Sequence, residues 1–312
     1  MSLIEVVDLV KQFGSFRAVD QLRLNIDRGE IFGFVGPNGA GKTTTMKIIA
    51  GLLPATSGSV FVKDVDVIKN PRVLRERIGY MPDFFGVYDN LKVSEYMDFY
   101  AGAYNIPYAE RPDIIHNLLE LVGLTDKTDA YVDSLSRGMK QRLCLSRALI
   151  HDPEVLLLDE PASGLDPRAR VEMKEILKQL KTLGKTIIIS SHILTELAEL
   201  CSVVGIMDHG KLRAYGSISD IMRQMNQGRT LYLRPLAMSE PLIRMLNENP
   251  NISGLIENVQ DCEFRFTGTD EDVSRLLTEL VTRGIPVLSF HEKEGNLEEM
   301  FMQLTGGETA ND

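Results

Sequence analysis

Residues 36–44 read Gly36-Pro37-Asn38-Gly39-Ala40-Gly41-Lys42-Thr43-Thr44. This stretch decides which kind of fold the chain adopts. It satisfies the G-x-x-x-x-G-K-[ST] spacing of a phosphate-binding loop. The apolar run Ile31-Phe32-Gly33-Phe34-Val35 before it reads as a buried strand, and Thr45-Met46-Lys47-Ile48-Ile49-Ala50 after it reads as a helix. A loop in that setting wraps a polyphosphate in backbone N–H groups and puts it at a helix N-terminus. Lys42 would reach the β- and γ-phosphates as a point charge, and Thr43 would hold Mg²⁺. The first expectation is therefore binding of a nucleoside triphosphate.

A second stretch is tested against that expectation. Val155-Leu156-Leu157-Leu158-Asp159-Glu160 sets four apolar residues before two carboxylates. An uninterrupted apolar run of this length is a strand buried on both faces. Both acids then stand at the C-terminal end of a central strand, the edge where open α/β sheets bind ligands. Asp159 would hold the hydrated Mg²⁺, and Glu160 would activate the attacking water.

The third segment is Leu135-Ser136-Arg137-Gly138-Met139-Lys140-Gln141-Arg142. Ser136 is a good helix N-cap, and Gly138 leaves amides uncovered. Taken alone this is a capped surface helix; a helix start with a small hydroxyl is also an anion site.

Around these segments the periodicity outlines an α/β chain. Leu3 to Val10, Gln21 to Ile26 and Ser59 to Val62 read as strands of an antiparallel sheet. Leu74 to Tyr80 leads into a short strand ending at Met81-Pro82. From Val93 to Leu124 the period turns helical, with Val93, Met97, Tyr100 and Tyr104 on one stripe and Ile114, Ile115, Leu118, Leu119 and Val122 on another. This marks a helical insert at about residues 84–152. Beyond Val155, a helix carrying Met173, Ile176, Leu177 and Leu180, a strand at Thr186 to Ile189, a helix at Thr195 to Leu200 and a strand at Val203 to Met207 imply a mostly parallel sheet covered on both faces. After Gly216 the order becomes β-α-β-β-α-β: Thr230 to Leu233, Glu240 to Asn247, Ile252 to Glu257, Glu263 to Thr267, Asp270 to Arg283 and Pro286 to Phe290. That is the ferredoxin-like arrangement, and a final helix is expected at Leu297 to Leu304. The expected division is 1–218 and 219–312.

Composition bounds the class. An apolar content of 44% is ordinary for a globular protein. No window offers enough consecutive apolar residues for a membrane span, and the N-terminus lacks a secretory pattern. Cys144, Cys201 and Cys262 are far apart and form no C-x-x-C pair, so reduced, buried thiols of a cytosolic protein are expected. Residues 220–312 hold 16 acidic and 8 basic residues, a net charge of −8 out of −10 for the whole chain. An acidic C-terminal third repels phosphate backbones, so nucleic acid is not expected as a partner.

The order GPNGAGKTT, LSRGM, LLLDEP, SGLD, SSHIL resembles the ATPase subunit of ABC transporters over about residues 3–215. The resemblance implies a P-loop NTPase core with a mostly parallel sheet, an antiparallel β subdomain and a helical subdomain. The cofactors it implies are ATP and Mg²⁺. Gly36, Pro37, Asn38, Gly39, Ala40, Gly41, Lys42, Thr43 and Thr44 would cradle the phosphates. Phe13 matches the aromatic that stacks on adenine. Ser136 and Gly138 match the signature that faces the γ-phosphate of a partner subunit, so that a head-to-tail homodimer holds two ATP molecules. The signature here is LSRGM where LSGGQ is commoner. Asp166 matches the loop that couples the two sites, and His192 the switch histidine at the γ-phosphate. Asp83 stands where the family usually has glutamine and would contact the metal-bound water. Phe84, Phe85, Val87 and Tyr88 would either line the groove that receives a permease helix or pack in the core.

The C-terminal unit resembles the extra domain of some type-2 exporter ATPases, including an ending at Asn296-Leu297-Glu298-Glu299-Met300-Phe301. The function implied is ATP hydrolysis by Lys42, Glu160 and His192 to power export through a separate membrane permease, at the cytoplasmic face. Two other functions are compatible with parts of the same pattern. A soluble ABC-type ATPase acting on ribosomes or nucleic acid usually has two ATPase units or a long coiled coil. An ATP sensor without useful hydrolysis would not need Glu160 and His192.

Overall fold

Five strands open the chain: β1 (Ser2–Phe13), β2 (Phe16–Asp27), β3 (Ile31–Val35), β4 (Ser57–Val62) and β5 (Val65–Asp66). The computed structural model describes residues 2–63, 65–70, 73–84, 86, 90–225 and 229–292. Four of the five strands form an antiparallel sheet in the order β2-β1-β4-β5. Their alternating apolar side chains, Leu22, Leu24 and Ile26 among them, are buried on one face. β3 is apolar throughout and joins a second sheet, because a strand buried on both faces needs cover on both.

That second sheet takes β6 (Ile78–Met81), β7 (Val155–Asp159), β8 (Thr186–Ser191), β9 (Val203–Asp208) and β10 (Lys211–Gly216). Its order is β10-β9-β3-β8-β7-β6, parallel except for β10, which runs antiparallel to β9. All residues of β3, β7 and β8 are buried. The order matters for the site: β8, last of the three in sequence, lies between β3 and β7.

The helices of this part are α1 (Lys42–Ile49), α2 (Val93–Ala103), α3 (Arg111–Leu121), α4 (Arg137–Leu149), α5 (Pro167–Thr182) and α6 (Leu194–Ala198). α5 buries the four side chains that its periodicity marks, Met173, Ile176, Leu177 and Leu180. Val93, Met97, Ile115 and Leu119 are buried as their stripes require, whereas Tyr104 is partly exposed at the helix end. β10 carries no sequence signal of a buried strand, since its positions alternate between exposed and half-buried and none is fully buried. The described chain divides into two compact units, the first ending at Ile218 and the second beginning at Ser219.

α7 (Ile218–Met225) follows, and then β11 (Arg229–Pro235), α8 (Glu240–Glu248), β12 (Ile252–Glu257), β13 (Cys262–Phe266), α9 (Asp270–Thr282) and β14 (Val287–Glu292). The four strands make an antiparallel sheet in the order β12-β13-β11-β14. Leu231, Leu233, Phe264 and Phe266 form its apolar face with Leu242, Leu246, Leu276 and Leu280 of the two helices. α9 starts at a capping box, Thr269 with Asp272, and its acidic first turn suits the helix dipole. The expected helix at Leu297 to Leu304 lies outside the described residues.

No helix among the described residues is long and apolar enough to cross a membrane. All three thiols are free and at least half-buried. Burial pushes the Cys144 and Cys262 thiols up to about 11 and Cys201 to about 12. A thiol raised in this way stays neutral until the pH passes its folded value, so the native protein should resist iodoacetamide at about pH 8, while the denatured chain reacts at all three positions. Mass spectrometry of alkylated peptides checks this; fast native labelling at Cys144 would contradict it.

Candidate nucleotide site

The loop between β3 and α1 is held by close backbone contacts. A Cβ on Gly36 would stand 2.3 Å from the Met207 carbonyl oxygen, and one on Gly41 2.4 Å from that of Ala18. Gly41 also has φ +105°, which a side chain would strain. The Gly210 N–H donates to the Ala40 carbonyl at 3.0 Å, so the β9–β10 turn braces the loop from the other side. Pro37, Asn38 and Gly39 form its exposed tip, while Thr43 and Thr44 are half-buried. α1 has Gly41 as N-cap, no side-chain cap and no acidic residue in its first turn. Its first N–H groups are thereby left for an anion.

Lys42 is only 5% exposed. Its Nζ donates to the carbonyl oxygens of Gly36 at 2.6 Å and Pro37 at 3.2 Å, and lies 3.7 Å from Glu160 Oε1. Burial pushes the ammonium down from its usual range, against the opposing pull of the Glu160 and Asp159 carboxylates. Thr43 Oγ1 donates to Asp159 Oδ1 at 3.0 Å. Glu160 Oε2 is 2.9 Å from His192 Nδ1. Lys42, Thr43, Asp159, Glu160 and His192 thus meet at the C-terminal edge of the parallel sheet. Glu160 has φ +51°, an unusual backbone for a non-glycine residue and a feature that collects at functional sites.

The remaining expected residues are placed as follows. Asp83 is exposed just past β6. Phe84 is 88% exposed, so it does not pack in the core; Phe85, Val87 and Tyr88 lie outside the described residues. Phe13 ends β1, 48% exposed, with Lys11 Nζ 4.8 Å from its ring centre. Ser136 caps α4 through its Oγ, which accepts from the Met139 N–H. Asp166 caps α5, accepting from the Ala169 N–H at 2.9 Å. Gly138 lies against α5, where a Cβ would come 2.9 Å from that of Ala169. The first two turns of α4 are tied to the loop beyond Glu160: Arg137 and Gln141 both donate to the Ser163 carbonyl, at 3.1 and 3.3 Å, and the Ser163 N–H donates to the Glu160 carbonyl.

Two residues at the site carried no assigned role. Ser190 Oγ donates to Asp159 Oδ1 at 2.6 Å. The Tyr80 hydroxyl is buried beside Asp159, and burial first, then the Asp159 carboxylate, pushes its pKa up. A polar residue closing an apolar strand is a visible signal for Ser190. Tyr80 has none, because its neighbour Asp159 is distant in sequence.

Among the described residues no three His, Cys, Asp or Glu side chains group as a metal site. Thr43 and Asp159 offer one hydroxyl and one carboxylate, hard oxygen donors that fit Mg²⁺ when phosphates and water complete the shell.

A phosphate loop at a bare helix N-terminus, facing an acidic pair at a parallel strand end, defines a P-loop ATPase. The family model for ABC transporters matches residues 19–163, and that for the ATP-binding protein DrrA1-3-like C-terminal domain matches 216–305. The bacitracin transport ATP-binding protein of Bacillus licheniformis is 36% identical over 310 residues, 99% of each chain. The linearmycin resistance ATP-binding protein of Bacillus subtilis is 30% identical over 97% of this chain and 98% of its own. A solved ATP binding subunit of an ABC transporter superposes with a TM-score of 0.65 at 31% identity, over 72% of this chain and 93% of that one. The chain belongs to the ATP-binding subunits of ABC transporters, of the type-2 exporter kind. It binds nucleotide and hydrolyses ATP to power export.

The Lys42–Glu160 contact places a carboxylate beside the buried ammonium expected to meet the phosphates. Glu160→Gln keeps the shape and removes that anion. ATP binding should tighten severalfold in a fluorescence titration, whereas Lys42→Ala should weaken it; equal affinities for Glu160→Gln and wild type would show that the carboxylate does not compete.

Proposed function

We propose that the chain works as a head-to-tail homodimer with two ATP molecules between the copies, joined to a membrane permease at the cytoplasmic face. The observation that carries the hydrolytic reading is the meeting of Lys42, Thr43, Asp159, Glu160 and His192 within hydrogen-bond or ion-pair reach; the second copy is inferred from the exposed, Ser136-capped start of α4, left for the ATP of a partner. Residues 1–218 form the ATPase domain, with its helical insert at about 84–152, and 219–312 the accessory domain.

Within the site, the backbone of residues 36–44 holds the triphosphate, and Lys42 balances charge on its terminal groups. Thr43 and Asp159 would hold Mg²⁺, with Asp83 on its water; bound there, the ion neutralises charge on the β- and γ-phosphates. Glu160 accepts a proton from the attacking water, and His192 orients Glu160 and contacts the γ-phosphate. Phe13 is exposed enough to stack on adenine. Ser136 and Gly138 present the first turn of α4 to the ATP of the partner. The bonds from Arg137 and Gln141 to Ser163 link that turn to the loop leading to Asp166. The exposed Phe84 belongs to the surface that receives the permease.

Loss of the general base should lower ATP turnover in Glu160→Gln about 10²–10⁴-fold. The variant should accumulate as an ATP-bound dimer in size-exclusion chromatography. Near wild-type phosphate release would remove Glu160 from its role, and a strictly monomeric Glu160→Gln protein in ATP would remove the dimer.

A further inference from the structure

Asp159 and Glu160 are adjacent carboxylates with different tasks, and a single hydroxyl reaches both residues. Ser190 lies on β8, directly opposite Asp159 in the parallel pairing, and is fully buried. Its Oγ donates to Asp159 Oδ1 at 2.6 Å and accepts the backbone N–H of Glu160 at 2.9 Å. The two bonds have forced directions. An ionised carboxylate only accepts and an amide only donates, so the one hydroxyl proton must go to Asp159 and a lone pair must face Glu160.

Both bonds act where orientation matters. Asp159 Oδ1 accepts from Ser190 and from Thr43, so the carboxylate is pinned between β8 and the first turn of α1. The Glu160 N–H leads into the left-handed turn that sends its side chain towards Lys42 and His192. His192 follows two residues after Ser190, so the end of β8 carries a contact to each acid. The strand's other two hydroxyls serve elsewhere: Thr186 Oγ1 accepts the Gly29 N–H and Ser191 Oγ donates to Glu196 Oε2, while Ile187, Ile188 and Ile189 fill the positions between Thr186 and Ser190.

We propose that Ser190 is a positioning residue for ATP hydrolysis, holding the Asp159 carboxylate in its Mg²⁺-binding orientation and Glu160 in its water-facing one through a single shared hydroxyl. The inference rests on the metal-holding and base roles given above to Asp159 and Glu160.

The test uses the full chain with Ser190→Ala, Ser190→Cys and Ser190→Thr, and Asp159→Asn as reference. Equilibrium binding of a fluorescent ATP analogue is measured with EDTA and with MgCl₂, alongside steady-state turnover. Ser190→Ala should bind metal-free nucleotide like wild type, lose roughly tenfold of the gain that Mg²⁺ confers, and lose more in kcat than in KM. Ser190→Thr keeps the hydroxyl and should restore both; Ser190→Cys keeps the volume with a weak donor and should follow Ser190→Ala. Wild-type Mg²⁺ dependence in Ser190→Ala, or full restoration by Ser190→Cys, would overturn the inference. If Ser190→Ala fails to fold, the Cys and Thr variants decide between them. An Asp159→Asn protein that keeps the whole Mg²⁺ gain would instead overturn the metal-site reading, whatever Ser190 does.

Discussion

A nearly buried ammonium without an anion beside it is costly, and Lys42 is nearly buried. The rest of the site follows from that constraint. Two loop carbonyls and the Glu160 carboxylate surround Nζ, and Asp159 adds its field from behind Thr43. The balance uses groups of opposite chemistry from distant parts of the chain, so the site exists only when β3, β7 and β8 are in place. In the proposed function a triphosphate would add its negative charge to the two carbonyls and one carboxylate already around Nζ.

The sheet order converts that constraint into geometry. β8 separates β3 from β7, so the phosphate loop and the acidic pair do not sit on neighbouring strands. The gap is one strand wide, and Thr43 reaches Asp159 across its end. The strand in the gap brings Ser190 level with Asp159 and carries His192 just beyond. Ligand binding at the carboxyl ends of a parallel sheet is general. Here the particular insertion of β8 decides which hydroxyl and which imidazole stand beside the acids.

A second link runs away from the nucleotide. Arg137 occupies a position where glycine is usual in the resembling motif, and its guanidinium lies over Gly164 and donates to Ser163. Gln141, one turn later, shares the same acceptor. The start of α4 and the loop after Glu160 are therefore joined by side-chain bonds as well as by the packing of Gly138 on Ala169. In the second unit the helices cover one face of an antiparallel sheet, with no comparable cluster of ligand-type residues among the described ones.

Much of this was legible in the sequence, for local reasons. The phosphate loop, the acidic strand end and the Ser136 cap are each short segments whose backbone and chemistry are set by residues close together. The buried stripe of α5 and the β-α-β-β-α-β order of the second unit follow from periodicity. β10 escaped because an edge strand with no fully buried position leaves little apolar signal, and its partner supplies the hydrogen bonds that define it. The distances could not be read: that Lys42 pairs with Glu160, that Arg137 lies on Gly164, and that Ser190 bridges two acids thirty-one and thirty residues away. Sequence by itself determined the phosphate-binding chemistry and the α/β class, because loop and strand propensities act over a few residues. Tertiary structure alone decided which side chains share a proton or a charge, because strand order and register, not chain order, bring them within reach.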